Sequence, residues 1–172
     1  MRTILFFILI SLNIPAFSGD LGITKYGDCS SGILVYPFYP RDIHGESFEG
    51  VSLRLCDKGY TKTVRKVSKS VKNLVMKKYG LRVSDSKDVE IDHFISLELN
   101  GNNTPENLWP QPYEVYLVVN GKNRRMGARE KDVVETNLHK RICRGEITVQ
   151  EGQRVITTNW VGYYLRIKHL IK

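Results

Sequence analysis

The sequence predicts an α+β fold in which a small β hairpin packs among several helices. Three observations predict it. Three segments carry apolar residues at helical spacing, residues 88–96 form a short apolar run interrupted by polar residues, and residues 115–119 form a second apolar run that ends at the turn dipeptide Asn120-Gly121. With 172 residues and no internal repeat, the chain is long enough for one domain with a hydrophobic core.

The first eighteen residues have the composition of a secretory signal peptide. A positive start precedes an apolar run over residues 4–12, and Ala16-Phe17-Ser18 supplies small residues before a cleavage position. The apolar run is too short to span a bilayer stably. We therefore expect residues 1–18 to be removed, residues 19–172 to form a single domain, and the mature protein to be secreted or periplasmic without stable membrane insertion.

The predicted helices differ in how they begin and end. The first starts near Thr61 and stops at Gly80, with an apolar face of Val64, Val67, Val71, Leu74 and Val75. The second covers residues 128–143 and is expected to bury Val133, Val134, Leu138 and Ile142. The third starts at Thr148, which has capping-box spacing to Glu151, and carries Val155, Ile156, Trp160, Tyr163 and Tyr164 inward.

The chain is basic, with a net charge of +8. A basic exported protein can bind nucleic acid, an anionic membrane or an acidic polymer, and charge alone does not choose among them. Seven lysines and arginines cover the other faces of the first predicted helix, where they either follow a phosphate backbone or are simply solvated: Lys62, Arg65, Lys66, Lys69, Lys72, Lys77 and Lys78.

Cysteine usage agrees with an oxidising compartment. Cys29, Cys56 and Cys143 allow one disulfide and one free thiol, and the spacing does not say which two pair. No CxxC pair exists, which argues against a zinc knuckle or a thioredoxin-type site. Residues 19–50 are rich in turn residues and are expected to wrap the core as loops and short strands, with His44 as a surface histidine.

The residues that suggest chemistry lie between Glu90 and Gln111. Asp92 and His93 are adjacent on a predicted strand, and Asn107 follows fourteen residues after the histidine. Phosphodiester hydrolysis needs a base for water, a cation held by carboxylate, and a partner that orients the base. These three residue types supply those roles. An isolated Asp-His pair is common, however, and Asn107 could equally cap a turn beside a core tryptophan.

The same stretch, EIDHFISLELNGNNTPENLWPQ, resembles the HNH family of nucleases, whose ββα-metal core consists of two strands followed by a helix. It is most similar to a small, exported bacterial HNH-like group with the pattern DHLIPLELGG, NLWPQ, KD and a later cysteine. Further similarity extends over about residues 54–162. Ser96 stands where that pattern has proline, and residues 113–127 form a longer segment than usual. The resemblance implies a ββα-metal core over residues 88–143, surrounded by additional helices and a divergent N-terminal segment over 19–50.

The resemblance also implies roles for individual residues. His93 would be the general base, Asp92 would bind the metal, and Asn107 would orient His93 by its side chain or its backbone. Asp132 is the first candidate for a second metal ligand from the helix, with Glu135 and Glu90 as alternatives. Acids at a helix N-terminus are also favoured without a metal.

Other family-like positions have weaker implications. Arg129 and Lys131 would contact substrate phosphate, or would simply be solvated. His139 is either a metal ligand one helical turn from Glu135 or an ordinary half-buried histidine. Because Cys56 and Cys143 fall in family-like segments and Cys29 does not, the resemblance favours a Cys56–Cys143 disulfide.

The expected function is therefore metal-dependent endonuclease cleavage of nucleic acid, of DNA first and RNA as an alternative, with low sequence specificity. One divalent ion is expected, with Mg²⁺ as the default and Mn²⁺ or another ion as an alternative. The competing interpretation is a non-catalytic secreted protein that binds nucleic acid or another polyanion on the same scaffold. A third is a toxin nuclease with an immunity partner that the sequence does not identify.

Overall fold

The computed structural model describes residues 39–40 and 43–170, apart from the side chain of Val83. The expected signal peptide and Cys29 lie outside the described residues. The helices are α1 (Tyr60–Val64), α2 (Lys69–Lys78), α3 (Ala128–Cys143) and α4 (Val149–Ile167). The strands are β1 (Val89–His93), β2 (Leu108–Pro112), β3 (Tyr116–Val119) and β4 (Lys122–Arg125). Within the described part of the chain, no helix has the length and apolarity needed to cross a membrane.

Two small antiparallel sheets confirm the α+β prediction. β1 pairs with β2 so that Asp92 lies opposite Trp109 and Glu90 opposite Gln111. β3 and β4 form the separate hairpin that the dipeptide Asn120-Gly121 predicts. Both turn residues have positive φ, 50° and 71°, as a two-residue type I′ turn requires. The longer segment over residues 113–127 is therefore largely a hairpin inserted between β2 and α3.

The first predicted helix is wrong in one respect, because the structure divides it into α1 and α2. Arg65 ends α1 in an extended conformation, and Ser68 starts α2 by accepting a hydrogen bond from the Val71 N–H. The side chain of Asn103 accepts from the Lys66 N–H and donates to the Val64 carbonyl. These bonds take backbone groups that a continuous helix would pair internally, so a loop distant in sequence decides the break.

α3 and α4 pack against each other and enclose much of the core. The capping box predicted from Thr148 and Glu151 is present, and Trp160 and Ile156 are fully buried in α4. In α3 the prediction for Val133 is wrong, since its side chain is 36% exposed. The other buried side chains of this core include Val75, Leu99, Leu108, Trp109, Met126, Val134 and Leu138.

A disulfide joins the segment before α1 to the end of α3. Cys56 and Cys143 are bonded, with their Cα atoms 5.7 Å apart and 87 positions of chain between them. The pairing is the one that the resemblance favoured. It holds the loop before α1 against the helix that carries Lys131, Asp132 and Glu135.

Candidate functional site

The loop between β1 and β2 is held together by the side chain of Asn107. Its Oδ1 accepts from the Ile95 N–H at 3.0 Å and the Glu46 N–H at 3.2 Å. Its Nδ2 donates to the Ile95 and Asn102 carbonyls, each at 2.9 Å. Asn107 is 0% exposed, so all of its hydrogen-bonding capacity is used inside the protein.

Asn107 therefore reaches His93 only indirectly. Its carbonyl accepts from the N–H of Phe94, the residue after His93, at 2.7 Å. Its side chain forms no hydrogen bond with the imidazole. Of the two routes by which Asn107 was expected to orient His93, the structure is consistent with the backbone route.

The residue that does contact the imidazole is Asn103, which the sequence interpretation missed. Asn103 Oδ1 lies 3.2 Å from His93 Nε2. The orientation of this amide is defined independently, because Oδ1 accepts from the Lys66 N–H and Nδ2 donates to the Val64 carbonyl. An oxygen facing Nε2 can only accept, so the neutral imidazole carries its proton on Nε2. Nδ1 is then the basic nitrogen.

The surroundings of His93 favour its neutral form. The residue is 1% exposed. Burial lowers the pKa of His93 below its ordinary value, which the charge of Asp92 and the Asn103 contact oppose and the charges of Arg65 and Lys131 assist. A neutral imidazole near pH 7 can accept a proton. Its burial also means that water must reach Nδ1 past the side chains that cover the ring.

Lys131 occupies the centre of this region as a buried cation. Its Nζ donates to Asp92 Oδ2 at 2.8 Å, to the His93 carbonyl at 2.8 Å, and to Glu135. The side chain is 0% exposed, and the two carboxylates raise the pKa of Lys131 further despite its burial. The expectation that Lys131 contacts substrate phosphate is therefore not supported, because its three donor positions are used internally.

Besides Glu135, three carboxylates lie near this buried cation and interact unfavourably with one another. Partial burial together with the charge of Asp92 raises the pKa of Glu90, with a further contribution from Asp132. Partial burial and the charge of Asp92 likewise raise the pKa of Asp132. Asp92 Oδ2 is bonded to Lys131, whereas its Oδ1 accepts no hydrogen bond from a described residue. Such a cluster is one that an added cation would stabilise.

Glu135 differs from Glu90 and Asp132 because it is buried and paired with Lys131. Its carboxylate accepts from Lys131 and is 9% exposed. Burial raises the pKa of Glu135 to about 8, against the lowering effect of Lys131. Among the expected ligands, the exposed Asp132 therefore fits a site open to solvent better than Glu135 does.

A second missed residue lies on the same face of the sheet as the acids. Gln111 is 1% exposed, and neither atom of its side-chain amide has a hydrogen-bond partner among the described residues. The register places it directly opposite Glu90, and cross-strand partners share a face of the sheet. A buried amide without a partner is costly. Gln111 is thus suited to hold a water or a hydrated ion beside Glu90.

The remaining predicted residues lie apart from this cluster or at its edge. Arg129 is exposed in the first turn of α3 and stays available to a phosphate. His139 does not join Glu135, because its Nε2 lies 3.1 Å from the Leu55 carbonyl and 3.3 Å from Cys143 Sγ. Cys56, His139 and Cys143 are the one group of three potential metal-ligating side chains that converges within 4.8 Å among the described residues. The disulfide uses the sulfur atoms of both cysteines.

One sequence signal points to Asn103 in retrospect. The run Asn100-Gly101-Asn102-Asn103 has more amides than a turn needs, and each of its asparagines is used. Asn100 donates to the Gly50 carbonyl at 2.7 Å. Gly101 packs so tightly that an added Cβ would lie 1.7 Å from the Ile95 carbonyl oxygen.

Comparison of the chain with protein-family models, with curated proteins and with solved structures finds no match.

Proposed function

We propose that this protein is a metal-dependent endonuclease that hydrolyses phosphodiester bonds of nucleic acid, with DNA as the expected substrate. The observation that carries the proposal is a neutral histidine, held in one tautomer by Asn103, beside a cluster of partly exposed carboxylates. Acid–base chemistry at neutral pH needs such a base, and phosphodiester cleavage needs positive charge near it.

His93 would act through Nδ1. With Nε2–H donated to Asn103, Nδ1 would take a proton from the attacking water as the water oxygen bonds to phosphorus and the bond between phosphorus and the leaving sugar oxygen breaks. The Lys131 contact to the His93 carbonyl and the Asn107 contact to the Phe94 N–H hold the backbone on both sides of the imidazole. A base held in this way loses less entropy in reaching its reactive geometry.

A divalent ion fits the carboxylate cluster. Asp92 through Oδ1, Asp132 and Glu90 would hold it, with Gln111 beside a bound water. Their oxygens do not all converge within 4.8 Å, so water would have to complete the coordination of the ion, as it commonly does for Mg²⁺. When bound, the ion would stabilise negative charge on the phosphate and the leaving oxygen.

The test is plasmid nicking by the oxidised protein, with Mg²⁺ or Mn²⁺ and with EDTA. Cleavage should disappear with EDTA, with His93→Ala and with Asp92→Asn. Asp132→Asn should raise the Mg²⁺ concentration needed for half-maximal cleavage, while Asp57→Asn, an exposed acid far along the chain, should not. Cleavage that persists in the folded His93→Ala variant would refute the role of His93.

A second function is favoured by two observations. His93 is 1% exposed, and Asp92 already has a cation in Lys131. Both are compatible with a buried polar network that stabilises a non-catalytic nucleic-acid-binding protein. That protein would bind DNA with an affinity that falls steeply with salt and would cleave no nucleic acid with any divalent ion.

A further inference from the structure

We infer that the exposed cations of residues 58–78, which lie just before α1, in α1, in the 65–68 connection and in α2, bind the phosphate backbone of the nucleic acid on one side of His93. This inference rests on the proposed function and extends it to the path of the substrate. We call these cations the basic surface, and its members are Lys58, Lys62, Arg65, Lys66, Lys69, Lys72, Lys77 and Lys78.

The basic surface is uncompensated. No acidic residue occurs between Asp57 and Asp85, a stretch that contains all eight cations. Every one of them is exposed, and none forms an ion pair with any residue in the described part of the chain. Exposed lysines without an ion pair also occur elsewhere among the described residues, for example Lys87, Lys122 and Lys140, so the distinguishing feature of this segment is that no acidic residue lies among its cations. Unpaired cations concentrated in one segment create the positive potential that attracts a polyanion.

The basic surface is continuous with the candidate site. Asn103 bonds the 65–68 connection through Lys66 N–H and contacts the His93 ring with the same oxygen. Arg65 is close enough for its charge to act on both His93 and Glu90. It adds to the lowering of the His93 pKa and opposes part of the increase in the Glu90 pKa. A strand lying along these cations would therefore lead towards the segment that carries His93.

α2, the helix that carries half of these charges, is anchored in the core. Val75, Met76 and Tyr79 are buried on the inner side of α2, which packs against β1 and β2. The exposed lysines of α2 are thus carried by a helix whose backbone does not need to be ordered on binding. A preorganised surface loses less free energy on association than a flexible basic tail.

The length of α2 gives the length of duplex that its part of the basic surface would cover with the helix lying along the duplex axis. The ten residues of α2 span about 15 Å at 1.5 Å per residue. That length corresponds to about four base pairs of duplex at 3.4 Å each. Affinity should therefore rise as a duplex is lengthened by about four base pairs beyond the cleavage position, and then level off.

The test compares charge neutralisation on the basic surface with an equal change elsewhere. The basic triple is Lys69→Gln with Lys72→Gln and Lys77→Gln. Binding to a fluorescent 20-base-pair duplex is measured by anisotropy in EDTA, so that cleavage does not consume the probe. At 0.15 M salt the basic triple should bind roughly 100-fold more weakly, because each phosphate contact accounts for about 5-fold through counterion release. The slope of log affinity against log salt should become shallower by about 2 to 3.

The matched control neutralises three exposed lysines outside the basic surface, Lys87, Lys122 and Lys140. Its net charge equals that of the basic triple, and it should bind within a fewfold of wild type. Equal weakening in both triples would overturn the inference, because net charge alone would then explain binding. Unchanged duplex binding by the basic triple, with loss of binding to anionic phospholipid vesicles, would overturn it in favour of a membrane surface.

The experiments distinguish refutation of the inferred phosphate-binding surface from refutation of the proposed nuclease function. If wild type cleaves DNA but the two triples bind alike, the surface is refuted while the nuclease stands. If wild type hydrolyses neither DNA nor bis(p-nitrophenyl) phosphate, yet only the basic triple loses duplex affinity, the nuclease is refuted and the surface stands as that of a binding protein.

Discussion

Replacing Lys131 by methionine tests the buried cation at the centre of the candidate site. Methionine keeps much of the length and apolar volume of lysine while removing the charge and all three hydrogen bonds. In the structure this leaves Asp92, Glu135 and the His93 carbonyl without their common donor. If Lys131 were instead a solvated phosphate contact, the same change would hardly affect folding.

The expected loss of folding stability is large because Asp92 and Glu135 have little contact with water that could replace the lost hydrogen bonds. Lys131 is 0% exposed, and the side chains of Asp92 and Glu135 are 15% and 9% exposed. Removing one member of a buried ion pair costs about 3–5 kcal/mol, whereas substitutions at exposed positions usually change stability by less than about 0.5 kcal/mol. Protonation of the carboxylates relieves part of this cost. The loss should therefore be smaller at pH 5 than at pH 9.

The assay is urea unfolding of the oxidised protein at both pH values, followed by circular dichroism. Lys140→Met is the matched control, because Lys140 lies in the same helix and is exposed. Adding Glu135→Gln to Lys131→Met should recover part of the lost stability, since it removes one of the two uncompensated charges. A double-mutant cycle then measures the coupling between the two residues.

The result that would refute the reasoning is a Lys131→Met protein as stable as Lys140→Met at both pH values. Lys131 would then not be the buried ion-pair partner of Asp92 and Glu135. A loss of nucleic-acid affinity without a loss of stability would restore the original expectation that Lys131 contacts phosphate.

Four further predictions concern the pKa of His93, the side chain of Asn103, the disulfide and the side chain of Asn107. The pKa of His93 lies below its ordinary value of 6.5, so its contribution to stability is present above pH 6.5 and is lost as pH falls through the folded value. The acid limb of kcat/KM should accordingly have its midpoint below pH 6.5. Asn103→Ala should lower activity about 10- to 100-fold and change the His93 tautomer seen in ¹⁵N NMR. An unchanged tautomer would contradict the role of Asn103. Changing Cys56 and Cys143 together to serine should cost about 4–5 kcal/mol in urea unfolding, from the entropy of an 87-position loop; equal stability of the serine protein would argue against the bond. Asn107→Ala removes a hydrogen-bond partner from four backbone groups, of which the N–H and C=O of Ile95 are buried, and should cost roughly 3 kcal/mol or more. Amide hydrogen exchange at the loop should become faster, and unaltered exchange would contradict its structural role.

Local patterns in the sequence predicted much of the fold correctly. The bounds of α3, the capping box at Thr148 and the turn at Asn120-Gly121 depend on residues close together in the chain. Such features follow from helical periodicity and from backbone preferences of a few residues. The predictions that were wrong involve contacts between distant segments. Val133 is exposed because only one stripe of α3 faces the core, and the first helix breaks because Asn103 bonds its backbone.

The candidate site divides in the same way. By itself the sequence determined which chemical groups the β1–β2 hairpin and α3 carry, because Asp92, His93 and Asp132 lie in short, recognisable segments. Only the tertiary structure decided which groups meet: Asn103 orients the imidazole, Lys131 turns inward to pair with Asp92, and the Asn107 side chain closes the loop. The physical reason is that hydrogen bonds and ion pairs over 10 to 61 positions of chain depend on how elements pack, which no local pattern encodes.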